Sequence, residues 1–467
     1  MYLPEIDGGK RLSSLYPGEA VSSAFMWLPS EKIPNKDALI QASNVVYVNG
    51  RTGESTSIAL AKEVGDYVIV AKHLFPDWES KLGKVVEPDL GFSEAGFVDT
   101  ISPRDDAQRA AWEAFSSAGN GVLNLACGKG KTVLALKKVA QRNHPAIVIV
   151  NNTGLLDQWV DRAQEFLGLG KSDIGIVQQK RREWDKPLVI AMIHTLARLA
   201  DQEDGIPQGV RQRYGTVIFD EVHHLSASTF IKTAAVFYGS RFGLTATATR
   251  EDGLEKVYYA HVGEIFHSDL QGDLVSDVFF AELKTSVNMR SKEVTDVRGE
   301  FCVSKFYTHI AENKQRNLHI IKHVGKALRK DRKIIVLCHS VKHPENLRDL
   351  GKLSQDFKGK KMGCVTGATK GPDRVKIIRE CDVTFATFNV AKEGLDVAQL
   401  DTVFFVTPFK AWGSLQQGKG RVERQHPGKK DPLVVIFDDV RIPPATAMCR
   451  SLKRSLKSNG FTFRVFQ

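Results

Sequence analysis

Residues 126–132 combine glycine, lysine and threonine in an order that could bind the phosphates of a nucleotide. An apolar run typical of a buried strand precedes them, and a segment with helical spacing follows. Gly128 and Gly130 allow backbone N–H groups to point at phosphate oxygens, and the start of a helix adds a favourable dipole. We therefore expect Lys131 to contact the β- and γ-phosphates and Thr132 to bind Mg²⁺.

Two adjacent carboxylates, Asp220 and Glu221, follow the apolar run 216–219. They should lie at the carboxyl end of a strand, which is where α/β sheets bind ligands. We expect Asp220 to hold Mg²⁺ through water and Glu221 to orient and deprotonate the attacking water. Phosphoryl transfer depends mainly on positioning and charge neutralisation, so one metal, one lysine and one carboxylate supply much of the catalysis.

Two alternatives apply to this segment. The carboxylates could belong to an ordinary surface loop, and His223 and His224 beside them could indicate zinc. We favour the nucleotide site, because the loop at 126–132 and the strand context agree. In addition, no second His or Cys pair stands at the spacing of zinc ligands.

The composition indicates a globular protein with an anionic partner. The chain has 467 residues, enough for two to three domains, and its net charge of +11 favours a polyanion. No apolar run approaches the ~20 residues that a membrane helix needs, and the N-terminus carries no signal pattern. The six cysteines are scattered without a Cys-x-x-Cys motif, so we expect reduced thiols and a cytoplasmic protein.

The segment 450–457 places basic residues three and four positions apart, with Leu452 and Leu456 between them. This spacing predicts a helix with a buried apolar stripe and a basic outer face. The basic face is either solvated or a contact for nucleic acid.

Short apolar runs alternate with helical stretches in two parts of the chain, which indicates parallel sheets flanked by helices. The runs are 121–126, 146–151, 174–177, 188–193, 216–220 and 242–245 in the first part, and 333–338, 362–365, 383–387, 402–406 and 433–437 in the second. We predict an α/β fold with two tandem parallel-sheet domains, residues 99–284 and 305–467, joined by a polar linker at 285–304.

Residues 1–98 have a different pattern, in which Gly and Pro separate short apolar stretches. Asn49-Gly50 lies between an apolar stretch and a Ser/Thr stretch, which is a hairpin signal. We predict a small N-terminal α+β domain. Asp77, Glu79 and Lys81 superficially match a nuclease pattern, but the further acid that a nuclease needs is not evident.

From about residue 100 to about residue 440, the motifs follow the order found in superfamily 2 helicases. Within them the sequence resembles the Rad25/XPB-like enzymes and the phage UvsW-like branch-migration helicases. Arg104 and Gln108 resemble the Q-type motif, which reads adenine, although the family usually places this Gln one residue nearer the Arg. Thr153 and Gln158 fall in a segment similar to motif Ia, which contacts the nucleic-acid backbone.

Further motifs of the resemblance lie in both halves of the chain. Thr245 and Thr247 match motif III, which couples the nucleotide state to the nucleic-acid site, and Arg250 begins an Arg-Glu-Asp element similar to that of XPB-like helicases. Residues 336–340 resemble motif IV. The residues assigned to motif V, with the last two expected near the nucleotide, are Thr387, Gly394 and Asp396.

Gln417, Arg421 and Arg424 match motif VI. The two arginines are three positions apart, so on a helix they would share a face and reach one target. A guanidinium at the γ-phosphate stabilises transition-state charge, which is worth roughly 10³–10⁵ in rate. Alternatively, these arginines bind a phosphate backbone or lie on the surface, where Glu423 could form an ordinary ion pair.

The resemblance implies two RecA-like domains with ATP and Mg²⁺ between them, and DNA bound across both through its phosphates. It also implies remodelling of forks and four-way junctions in a bacterial or phage-infected cytoplasm, with residues 1–98 recognising the branch. We expect Phe409 and Trp412 to be core residues rather than aromatic side chains that stack on nucleic-acid bases. Three alternatives remain open: an RNA-dependent ATPase, the motor subunit of a restriction-type complex, and an inactive nucleic-acid clamp.

Overall fold

The computed structural model describes residues 16–48, 55–75, 84–87, 89–202, 205–227, 229–248, 253–392 and 397–466. The chain divides into two compact units, one of residues 1–125 and 130–270 and the other of residues 126–129 and 271–467. Several predicted features lie outside the described residues. These are the turn at Asn49-Gly50, the pattern at 77–81, Arg250, Gly394 and Asp396.

The first unit begins with a small α+β module, as the sequence predicts. Its described strands form a five-stranded sheet in the order β5-β6-β2-β1-β7 and a separate antiparallel pair, β3-β4. The elements are β1 Ala20–Ser22, β2 Phe25–Pro29, α1 Lys36–Ala42, β3 Asn44–Val48, β4 Ser55–Ala59, β5 Ala61–Val64, β6 Tyr67–Ala71 and β7 Val85–Val86.

The rest of the first unit is a mainly parallel sheet, whose described strands follow the order β11-β10-β12-β9-β13-β14-β8-β15. Its strands are β8 Gly121–Leu125, β9 Ala146–Val150, β10 Ile174–Gln178, β11 Arg181–Arg182, β12 Leu188–Met192, β13 Thr216–Asp220, β14 Ser240–Thr245 and β15 Ile265–Asp269. Its helices are α2 Asp106–Ser117, α3 Lys131–Arg142, α4 Thr153–Leu167, α5 Ile193–Ala200, α6 Gln208–Arg213 and α7 Glu255–Val262. All six predicted strands are confirmed.

Each face of this sheet is buried, which explains why its strands are continuous apolar runs. Phe115 and Trp159 belong to the core on one face, and Tyr214 and Tyr258 belong to the core on the other.

The small module shares a hydrophobic core with the large sheet of the first unit. Phe25 and Trp27 cluster with Tyr238, which precedes β14. Arg241 on β14 is completely buried and donates to the backbone oxygens of Ala24 and His261. The module is therefore an integral part of this unit.

The second unit is also built on a parallel sheet, whose described strands follow the order β18-β19-β17-β20-β21-β16-β22. Its strands are β16 Asp277–Leu283, β17 Ile334–Cys338, β18 Met362–Val365, β19 Val383–Thr387, β20 Thr402–Phe405, β21 Leu433–Asp439 and β22 Arg464–Phe466. Its helices are α8 Val303–Glu312, α9 Lys314–Leu328, α10 His343–Lys352, α11 Gly371–Glu380, α12 Phe388–Lys392, α13 Trp412–Val422 and α14 Pro443–Ser458. The five predicted strands are confirmed.

The predicted boundary at residue 284 is wrong. β16 pairs in parallel with β21, so it belongs to the second sheet, and the crossing between the sheets falls in residues 270–276. Residues 285–304 therefore lie inside the second unit. The partner of β16 lies far along the chain, so the local pattern could not reveal this pairing.

The helix predicted at 450–457 is confirmed as the second half of α14, with Leu452 and Leu456 buried and Arg454 and Lys457 exposed. Among the described residues, no helix combines the length and apolar character needed to cross a bilayer.

Candidate functional site

The sheet of the first unit brings four sequence motifs to one edge. Strands β9, β13, β14 and β8 are neighbours and run parallel, so their carboxyl ends lie together. Each strand is followed by one of the predicted motifs. The segments that leave this edge are 126–132 after β8, 151–159 after β9, 221–224 after β13 and 246–247 after β14. This is the edge at which α/β sheets bind ligands.

The loop after β8 has the backbone that phosphate binding requires. Gly128 and Gly130 have φ angles of 90° and 80°, values that residues with a Cβ atom rarely adopt. Helix α3 begins at Lys131, and Thr132 follows in its first turn. The Nζ atom of Lys131 donates to the backbone oxygen of Leu125 at 2.7 Å, so its ammonium group turns back toward the loop.

Gln108 lies against this loop in spite of its unusual spacing from Arg104. Its side chain is buried, and its Oε1 atom accepts from the backbone N–H of Arg104 at 2.8 Å. A methyl group on Gly130 would collide with the amide nitrogen of Gln108. Arg104 is exposed and pairs with Asp105 at 2.8 Å. The structure thus places the Gln of the Q-type segment beside the glycine loop that follows β8.

Asp220, at the end of β13, is held by two donors. Its Oδ2 atom accepts from the indole Nε1 of Trp159 at 2.8 Å, and its Oδ1 atom accepts from the backbone N–H of Glu221 at 3.0 Å. Burial, followed by the neighbouring Glu221 carboxylate, raises the pKa of Asp220 to about 6. Sequence reasoning missed Trp159, although it directly follows Gln158 in the segment similar to motif Ia.

Glu221 has a left-handed backbone, with φ at 51° and ψ at 55°, which is uncommon outside glycine and often marks functional sites. Its Oε2 atom lies 3.4 Å from Nδ1 of His223. That nitrogen also lies 3.1 Å from the hydroxyl of Thr245 and 3.3 Å from the hydroxyl of Thr247. His223 therefore connects the carboxylate pair to the motif III threonines, a role that the sequence did not indicate.

The segment after β9 opens helix α4 with a capped N-terminus. The side chain of Asn152 accepts from the backbone N–H of Leu155 at 2.8 Å. Thr153 is exposed and Gln158 is partly exposed, whereas Trp159 is completely buried. The first turns of α4 can therefore contact a phosphate backbone while the helix is anchored in the core.

The second unit carries the motif VI residues on α13 and just beyond it. Gln417 and Arg421 lie on this helix, but it ends at Val422, so Arg424 lies outside it. The prediction that both arginines share one helical face is therefore wrong.

Glu423 is buried rather than exposed, so the alternative in which it forms an ordinary surface pair does not hold. Its Oε1 atom lies 2.5 Å from Nζ of Lys419 and accepts from the hydroxyl of Ser276 at 2.7 Å. A methyl group on Gly272 would approach the Glu423 carboxylate to 2.6 Å. The carboxylate thus ties the start of the second unit to the end of α13.

The remaining predicted residues of the second unit lie in or near its core. Thr387 is buried at the carboxyl end of β19. Phe409 is buried against Phe388 and Phe405, as expected for a core residue. Trp412 is partly buried and packs near Phe461.

Two family models match the chain. Residues 100–250 match the family described as Type III restriction enzyme, res subunit, and residues 316–426 match the Helicase conserved C-terminal domain. The matched segments contain the glycine loop at 126–132, the carboxylate pair and the segment similar to motif VI.

The chain is also similar to curated helicases. It is 25% identical over 386 residues to a protein of Acanthamoeba polyphaga mimivirus provisionally named an ATP-dependent RNA helicase, covering 81% of this chain and 72% of that protein. It is 33% identical over 159 residues to the DNA 3'-5' helicase XPB of Mycobacterium tuberculosis, covering 34% of this chain and 29% of that protein. The matched part is therefore less than a third of the XPB relative.

Among solved structures, an HsdR-type fragment of a type I restriction enzyme from Vibrio vulnificus shares the fold. It has a TM-score of 0.54 at 14% identity, over 99% of this chain and 82% of that chain.

Proposed function

The chain belongs to the superfamily 2 helicases, nucleic-acid-dependent ATPases, and from this premise we propose that it hydrolyses ATP with Mg²⁺ to remodel branched DNA. The observation that carries the proposal is the meeting of four motifs at one sheet edge in the first unit. A glycine loop, a lysine and a partly buried carboxylate pair lie at this edge, together with His223, which contacts Glu221 and the Thr245 hydroxyl.

The residues at this sheet edge fit a magnesium nucleotide. Gly128 and Gly130 have the conformations that let backbone N–H groups face phosphates. Lys131 exchanges the backbone oxygen of Leu125 for phosphate oxygens, and Thr132 with Asp220 holds the metal. When bound, Mg²⁺ neutralises charge on the β- and γ-phosphates.

Glu221 acts on the attacking water. It directly follows β13 and has a left-handed backbone, and its carboxylate orients the water and accepts its proton. His223, which contacts both Glu221 and Thr245, relays the state of this site to motif III. Arg421 and Arg424 of the second unit complete the site when the two units close on the nucleotide.

DNA is bound mainly through its phosphates, at the start of α4 and near Thr387, so binding depends little on base sequence and falls with salt. The small N-terminal module recognises the branch. In support, the module shares a core with the motor sheet and so moves with it.

The main alternative is an RNA-dependent ATPase, because the mimivirus relative is named for RNA. Phosphate release measured with single-stranded DNA and with RNA separates the two. We expect DNA to stimulate phosphate release more than RNA does. If RNA stimulated it equally or more, the assignment of DNA as the substrate would be wrong.

The branched-DNA proposal is tested with a panel of fork, four-way junction, flap and plain duplex, comparing the wild-type protein with Glu221→Gln. We expect ATP-dependent unwinding of forks and junctions by the wild-type protein alone. Equal action on plain duplex would remove the branch preference.

The role of the module is tested with Lys32→Glu and Lys62→Glu, since deleting the module would uncover the core around Tyr238. Both lysines are exposed. We expect weaker junction binding with unchanged ATPase activity on linear single strands. Unchanged junction binding would exclude these two lysines from the recognition surface.

A further inference from the structure

One helix of the first unit carries both a candidate nucleic-acid surface and a donor to the nucleotide-site carboxylate. Thr153 and Gln158 lie on the accessible side of α4, and Trp159 is the next residue. The Trp159 ring is completely buried, and its indole N–H donates to Oδ2 of Asp220 at 2.8 Å. These two residues are 61 positions apart in the chain, so only the fold brings them together.

The Trp159 contact determines the orientation of the Asp220 carboxylate. A carboxylate can turn about its last side-chain bond, and two donors on opposite oxygens fix its plane. Here the backbone N–H of Glu221 holds Oδ1 at 3.0 Å and the indole holds Oδ2. Without the indole, only one of these two donors remains, the backbone N–H of Glu221.

We propose that Trp159 is a positioning residue, which links nucleic acid bound at the start of α4 to the carboxylate that holds Mg²⁺. The proposal rests on the proposed function for the assignment of Asp220 to the metal. The Trp159 ring is completely buried, so its role in this link is indirect.

The link is physically direct because the indole is rigid and packed. Trp159 belongs to the core between α4 and the sheet, so a movement of α4 carries the ring with it. The bond of 2.8 Å is near the ideal length, and a displacement of ~1 Å would take it outside hydrogen-bond range. Nucleic acid that shifts or stabilises α4 thereby alters how Asp220 presents its oxygens to the metal.

Groups that hydrogen-bond to a metal ligand usually affect metal affinity strongly. Their removal typically weakens metal binding or activity by about 10–100-fold. Trp159→Phe removes the N–H donor while it keeps an aromatic ring in the core. A benzothienyl-alanine at position 159 keeps the bicyclic shape and removes only the N–H group.

The chain offers a matched control in Trp27. This residue is also buried in the first unit, and its indole nitrogen has no hydrogen-bond partner among the described residues. Trp27→Phe therefore repeats the loss of ring volume without touching Asp220. Asp220→Asn serves as the reference for loss of the metal ligand.

The experiment titrates a fluorescent ATP analogue into each full-length variant, in EDTA and at increasing Mg²⁺. Mg²⁺ should raise the affinity for the ATP analogue. For Trp159→Phe and the benzothienyl variant, we expect the Mg²⁺ concentration that gives half of this increase to be about tenfold higher than for the wild type. Affinity in EDTA should match the wild type. The stimulation of ATPase activity by DNA should also fall more than the basal rate. Trp27→Phe should behave as the wild-type protein does.

Wild-type Mg²⁺ dependence in the benzothienyl variant would overturn the proposal, since that variant retains the packing. An equal shift in Trp27→Phe would overturn it too, because a general loss of packing would then explain the effect. If the wild-type protein gained no nucleotide affinity from Mg²⁺, the proposed function would fail instead.

Discussion

The Nζ atom of Lys419 lies 2.5 Å from Oε1 of Glu423, and both side chains are almost completely buried beside motif VI. The same carboxylate oxygen accepts from the hydroxyl of Ser276, 147 positions earlier in the chain. A buried pair of this kind contrasts with the many exposed pairs on the surface. Through Glu423, which lies between Arg421 and Arg424, these contacts connect the first residues of the second unit to the end of α13.

Glu423→Ala should destabilise the second unit by about 3–5 kcal/mol, because the substitution leaves the buried Lys419 ammonium unpaired. The measurement is urea unfolding followed by circular dichroism. Asp349→Asn is the control, since it removes an exposed pair with Lys352 and should change stability by less than ~1 kcal/mol. Similar effects of the two substitutions would contradict the structural role of Glu423.

Lys131→Ala should abolish DNA-stimulated phosphate release, by at least ~10²-fold, because the ammonium group is expected to stabilise charge on the transferred phosphoryl group. Lys137→Ala on the same helix α3 is the control. Lys137 pairs with Asp99 at 2.7 Å, and its loss should leave turnover within about twofold of the wild type. A Lys131 variant with normal turnover would exclude the phosphate-binding assignment.

His223→Ala should separate ATP hydrolysis from unwinding, because it removes the contact between the carboxylate pair and motif III. We expect the ATPase rate to fall less than fivefold and unwinding to fall more than tenfold, both as rough magnitudes for the loss of one coupling contact. Thr245→Val, which removes the hydroxyl that lies 3.1 Å from His223, should give the same pattern. Parallel losses in both assays would show that His223 acts on hydrolysis itself.

Stability should fall as the pH decreases from about 7 toward 4. Burial first, and then Arg241 and His73, lower the pKa of His261 to about 3. Burial and Arg241 likewise lower the pKa of His73 to about 3. Both imidazoles are neutral in the folded state, whereas the unfolded chain binds protons below a pKa of about 6.5. Their stabilisation is thus present above this pKa and is lost as the pH falls toward 3.

The slope of this loss can reach about 1.4 kcal/mol per pH unit for each histidine. Calorimetric melting at pH 7 and pH 5 should therefore show a smaller decrease for His261→Gln than for the wild type. His319→Gln, at an exposed position, is the control. A decrease of equal size in His261→Gln would contradict the assignment.

Much of the fold could be predicted from local sequence. Continuous apolar runs such as those at 146–150 and 216–220 identify buried parallel strands, because both faces of such a strand are covered. Gly128 and Gly130 predict a loop with left-handed backbone after β8, because few other residue types permit that backbone. The order of the motifs was sufficient to indicate the helicase family.

Three features required the folded structure. Asp277–Leu283 reads locally as the end of the first domain, but its pairing with β21 places it in the second sheet. Glu423 reads as a surface residue between two arginines, yet Lys419 and Ser276 bury and pair it. Trp159 falls in the segment similar to motif Ia, and only the folded chain brings its indole, on helix α4, to Asp220 at the end of β13.

The sequence by itself determined which chemical groups are present and which strands and helices carry them, since these depend on residue type and on periodicity along a few turns of chain. The tertiary structure alone decided which of those groups meet. Contacts such as Trp159 with Asp220 join residues far apart in the chain, and their partners are selected by strand order and by packing of the core rather than by neighbouring residues.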